Sequence, residues 1–176
     1  MQRLIFKYGG WATLILVGVT VCSAIFIEQT PENYGMGEVI GYSAMLAALA
    51  MIILAQVEMK RAPEINTSYW RYCLLGLGIS VLAGTGFGIY NLVYVNWVNP
   101  EFMDQYYGYY IETIRNSGQT QEQIAAIIDR LNQEKSYWQS PVIQFFGMFI
   151  TVFAMGLVIS VLSAGIMIQW EKKSFA

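Results

Sequence analysis

Four stretches of this chain run for about twenty residues or more without a single Asp, Glu, Lys or Arg: Tyr8 to Ile27, Val39 to Val57, Tyr72 to Val98, and Pro141 to Ile168. An α-helix rises about 1.5 Å per residue and a hydrocarbon core is about 30 Å thick, so roughly 20 apolar residues cross it. In lipid, backbone polar groups must be satisfied within the segment or within a closed barrel. Barrel strands alternate apolar and polar residues, and these runs do not. The expected fold is therefore all-α: a single membrane domain over residues 1–176, built as a four-helix bundle. The third and fourth runs exceed one membrane thickness and must tilt or protrude.

Composition supports the same class. Charged residues make up 12% of the chain and hydrophobic ones 56%. A soluble domain carries about 25% charge, so this chain cannot cover a globule with polar surface. The net charge of −2 gives no attraction to nucleic acid, and none is expected as a partner. Histidine is absent, which removes the commonest general base and metal ligand. No catalytic residue, metal site or cofactor is expected.

Arg3 and Lys7 before an apolar run could signal secretion, with Val21-Cys22-Ser23-Ala24 as a weak cleavage site. Signal cores run to about 7–15 residues, and this run is longer, so it is read as the first span. Arg3, Lys7, Lys60, Arg61, Arg71, Lys172 and Lys173 flank one set of span ends. Arg115, Arg130 and Lys135 lie on the other side, in a longer stretch. The positive-inside rule puts both termini in the cytoplasm of an inner-membrane protein, with 28–38 and 99–140 outside. Trp11, Trp70, Trp170, Trp97 and Trp138 fall near the expected boundaries, as amphipathic rings should. Cys22 and Cys73 then occupy opposite leaflets, too far apart to bridge.

The outer stretch 99–140 is too long for a structureless loop. It reads as a helical hairpin. Asn99 would cap the first helix with Pro100 at its first position, and Ser117-Gly118 would stop it. Thr120 and Gln123 form a capping-box pattern for the second, which places Ile124, Ile127, Ile128 and Leu131 on one face. Phe102, Tyr106, Tyr107, Tyr109 and Tyr110 give the first helix an aromatic surface. It suits an interfacial anchor packed on the bundle, or a platform for a ligand or partner.

Small residues recur every fourth position: Gly76, Ser80, Gly84 and Gly88 in the third span, and Gly156, Ser160 and Ala164 in the fourth, with Gly37 and Gly41 at the start of the second. This spacing lets helix backbones approach closely. Gly84, Gly86 and Gly88 are not a dinucleotide loop, because the required strand is missing. Glu38 and Asn91 are the candidate polar site. A carboxylate at the start of the second span is explained by the helix dipole, with a cation or proton site as the functional alternative. Asn91, Asn96, Gln56 and Gln144 suit interhelical hydrogen bonds. The similar endings Gln56-Val57-Glu58-Met59-Lys60 and Gln169-Trp170-Glu171-Lys172 hint at a parallel repeat. Cytoplasmic helix ends attract basic residues anyway, which explains that echo without a duplication.

The opening LIFKYGG, the segment GEVIGYSAM, the outer stretch NPEFMDQYYGYYIETIRNSGQTQEQI and the late MGLVISVLSAGIM resemble the bacterial domain-of-unknown-function 4199 family over nearly the whole chain. The middle loop, VEMKRAPEINTSYWRYC, departs from that pattern. The resemblance implies a small four-span membrane protein and supplies no catalytic residues. The function expected is that of a non-enzymatic accessory or interaction protein, with a membrane protein or a second copy as partner beside the lipid bilayer. The alternative is a small transporter or channel subunit.

Overall fold

The computed structural model describes residues 1–27, 30, 33–62 and 67–174, with side chains to 170. Six α-helices appear in order among them: α1 (Gln2–Phe26), α2 (Tyr34–Arg61), α3 (Tyr69–Val93), α4 (Phe102–Arg115), α5 (Gln121–Trp138) and α6 (Pro141–Ser174). Four helices, α1, α2, α3 with its continuation to Val98, and α6, are long and apolar enough to cross a membrane. Each runs past its charge-free stretch at one end or both. Lys60 and Arg61, for example, complete the last turn of α2, where cations favour the negative end of the dipole. The first connection and the middle loop fall partly outside the described residues, as do the side chains of Lys172 and Lys173.

The bundle is arranged around α3. It packs most extensively on α6 and also touches α1 and α2. Leu75, Ile79 and Ala83 of α3 are fully buried, as are Leu49 and Ile52 of α2, Leu16 of α1 and Val152 of α6. The outward faces are apolar too. Leu14, Leu46, Leu74, Ile150, Leu162 and Ile166 are each more than half exposed. A monomeric soluble protein does not carry an apolar girdle of that size; a protein solvated by lipid does.

The α3–α6 interface is reciprocal. A Cβ added at Gly76 would collide with the Ser160 side chain, and one at Gly156 with that of Ser80. Each serine hydroxyl donates to its own helix, Ser80 to the Gly76 carbonyl at 2.8 Å and Ser160 to the Gly156 carbonyl at 2.6 Å. Neither therefore needs a partner across the interface. Ala164 is fully buried in the same core. Further along, the α3 seam changes partners. Gly84 faces Phe149, whose ring and carbonyl would both lie 3.1 Å from an added Cβ, and Gly88 faces Phe145. Two phenylalanines fill the groove there in place of small residues.

A second seam joins α1 to α3. Gly9 packs on Leu82, Gly78 on Ile5, and Gly86 on Thr13. Thr13 also donates to the Leu82 carbonyl at 3.3 Å. At the end of the bundle that holds the chain's N-terminus, Lys7 pairs with Glu58 at 2.6 Å and the Tyr8 hydroxyl donates to the same carboxylate oxygen at 2.5 Å. Lys60 lies over the Trp170 ring, 4.0 Å from its centroid. Cys22 and Cys73 are both free thiols.

Candidate functional site

The other end of the bundle carries the insert. α4 begins at Phe102, later than the Asn99 cap would have it. Asn99 instead ends a π turn over Tyr94–Val98, its N–H bonded to the Tyr94 carbonyl at 2.8 Å, and its own carbonyl accepts from the Phe102 N–H. Such π turns are rare and favour functional regions. The helix stops at Arg115, and Gly118 takes a positive φ of 72° that side-chain-bearing residues avoid. Thr120 and Gln123 close a complete capping box at the start of α5. Lys135 on α5 pairs with Asp104 on α4 at 2.7 Å. The corner between α5 and α6 is held by the Trp138 ring on Gly147, and by Gln144 donating to the Trp138 carbonyl at 2.8 Å.

α4 lays its aromatic face on the bundle. The Tyr34 ring, buried at the start of α2, meets Tyr106 at 5.5 Å and Tyr109 at 5.6 Å. A continuous series of ring contacts runs from Phe87 in α3 through Tyr90 and Tyr94 to Phe102 and Tyr106 on α4. Edge and offset contacts of this kind are each worth about 0.5–1.5 kcal/mol beyond area burial.

Glu38 belongs to this assembly and not to the helix dipole. α2 starts at Tyr34, a full turn earlier, and its first turn contains no acid. The dipole's influence falls off within that turn. The Glu38 carboxylate instead accepts from the Tyr106 hydroxyl at 2.8 Å and the Tyr110 hydroxyl at 3.1 Å, both on the same oxygen. Burial, reinforced by the bond to Glu38, raises the Tyr106 phenol well above its ordinary range, so it stays a donor at physiological pH.

Between the insert and the bundle lies a cleft of about 490 Å³. Residues from all six helices line it, Glu38 and Asn91 among them. Asn91 donates to the Gln144 carbonyl at 3.4 Å, and Asn96 donates to Gln144 Oε1 at 2.8 Å, tying α3 to α6 beside the cleft. Gly37 and Gly41 do not mediate helix contact. Among the described residues, no atom of another element lies within 4 Å of a Cβ at either, and both form cleft wall. The candidate residues thus divide in two. Gly76, Ser80, Gly84, Gly88, Gly156, Ser160 and Ala164 lie in the bundle interior or its seams. Glu38 and Asn91 meet at the cleft. Tyr34, Phe87 and Met148, which also line it, carried no sequence signal beyond their apolar character.

The fold and cleft define a multi-pass helical membrane protein in which an aromatic insert closes over one end of the bundle. The chain belongs to the DUF4199 family, described as a protein of unknown function, whose model matches residues 7–168. No curated protein and no solved structure matches it.

Proposed function

We propose that this protein acts without catalysis, as an accessory or interaction protein of the cell (inner) membrane that binds a ligand or partner at the insert-covered cleft. The observation that carries this reading is the pair of hydrogen bonds from Tyr106 and Tyr110 to Glu38, which fixes the insert over a cleft of about 490 Å³. A cleft of that size, largely apolar with a few placed polar groups, has the dimensions of a small-molecule site. Both termini are cytoplasmic in this reading and the insert lies outside, because Arg3, Lys7, Lys60, Arg61 and Arg71 gather at the opposite ends of the spans. Glu101, Asp104, Glu112 and Asp129 sit on exposed helical faces, which favours solvation over catalysis for them.

The test is native mass spectrometry of protein released gently from its own membranes. Wild type should retain a bound species, and Gly41→Leu, which grows into open cleft, should lose it without a fall in melting temperature. Equal empty spectra for both would sink the reading. A transporter or channel subunit is the second reading, favoured by Glu38 as the ionisable carboxylate of the cleft. Coupled transporters keep such groups within the membrane, whereas Glu38 stands near a span end. Proteoliposomes of the protein alone should show no proton-coupled uptake. Uptake driven by a pH gradient and lost in Glu38→Gln would favour transport.

A further inference from the structure

The cleft's chemistry narrows what it can hold. Among the described residues that line it, Glu38 is the one acidic side chain, and no Lys or Arg is present. Its oxygen Oε1 accepts from two tyrosines, and among the described residues no Lys or Arg forms an ion pair with it. Tyrosine hydroxyls hold the carboxylate in place but leave its charge uncancelled. Aromatic rings line the same space: Tyr106, whose hydroxyl donates to the carboxylate, with Tyr34, Tyr42, Tyr94, Phe102 and Phe87. Ring faces carry negative potential and attract cations, quaternary ammonium above all. Met45 and Met148 add polarizable apolar lining. An anionic ligand would find no cation in this lining and would face a fixed carboxylate.

Resting on the reading of the cleft as a binding site, we infer that its ligand is an organic ammonium with an apolar body, the cation placed between Glu38 and the surrounding rings and the apolar part directed toward Phe87 and Met148. The same chemistry is offered by a free organic cation and by a lipid with an ammonium headgroup.

Benzyltrimethylammonium serves as the probe, with benzyl alcohol and benzoate as neutral and anionic comparators, measured by calorimetry on the full chain in nanodiscs. The ammonium should bind more tightly than either comparator. Glu38→Gln keeps an oxygen for Tyr106 and Tyr110 but removes the charge. It should weaken ammonium binding about fivefold, the upper size an exposed ion pair supports, and leave benzyl alcohol unaffected. Gly41→Leu should abolish binding of all three. If benzyl alcohol or benzoate binds as well as the ammonium, and Glu38→Gln changes nothing while Gly41→Leu still abolishes binding, the cleft binds ligands and the cation assignment is wrong. If none of the three binds wild type, the binding role of the cleft itself fails. Nanodiscs of ethanolamine-headgroup lipid against glycerol-headgroup lipid separate the sources. Competition with the probe by the ethanolamine lipid alone supports a lipid ammonium, and equal binding in both supports a free cation.

Discussion

Glu38 shows how far one side chain's role depends on where its helix begins. The charge-free stretch that opens at Val39 suggests a late start for α2, and a carboxylate at that start needs nothing beyond the dipole. The helix in fact begins at Tyr34, and the acid becomes the tether of a distant insert. No local pattern could reveal this, because its donors lie 68 and 72 residues away. Replacing both Tyr106 and Tyr110 with Phe removes two hydrogen bonds worth about 1 kcal/mol each and keeps the rings. The double variant should show faster amide exchange in α4 and an unchanged rate in α3. Unaltered exchange in α4 would mean that ring packing alone seats the insert. Gln56 offers the opposite case. It is fully buried, donates to the Tyr72 carbonyl at 3.3 Å, and has no partner for its Oε1 among the described residues. An orphaned buried acceptor costs about 1–3 kcal/mol. Gln56→Met, close in volume, should therefore be neutral or raise the melting temperature, and a clear fall would show that the amide oxygen does have a partner in the membrane.

At the scale of the helix, α3 carries two close-packing faces. The one toward α6 was legible because four small residues repeat at the same interval. The one toward α1 was not. Gly78 and Gly86 stand eight residues apart with Leu82 between them, and Leu82 itself packs on Gly9. A seam that alternates which helix supplies the glycine leaves no simple repeat in either helix. The change from serine to phenylalanine partners along α6 was equally invisible, since Phe145 and Phe149 read as ordinary span residues. Gly84→Leu tests the α6 face. Its neighbours include the Phe149 backbone carbonyl, which cannot rotate away. Overpacking typically costs about 1–3 kcal/mol, so the variant should melt well below wild type in detergent. Leu14 is 64% exposed, and Leu14→Ile should melt close to wild type. A normal melting temperature for Gly84→Leu would contradict the packing described.

For the molecule as a whole, the spans were readable from length and charge alone, while the cleft was not. It draws on residues from Thr20 to Thr151, and only the assembled bundle brings them together. The sidedness proposed for that bundle has a direct check. Alkaline phosphatase fused after Lys173 should be inactive and fused within 116–121 should be active. The reverse pattern would invert the topology. The serine–glycine interface also bears on biogenesis. Forty-two residues separate Val98 from Pro141, and ribosomes add about 5–20 residues per second. The groove of α3 thus waits in the bilayer for seconds before its partner is made. The bond from the Ser80 hydroxyl to the Gly76 carbonyl uses only atoms of α3, so it can form as soon as that helix does, with no atom of α6 required.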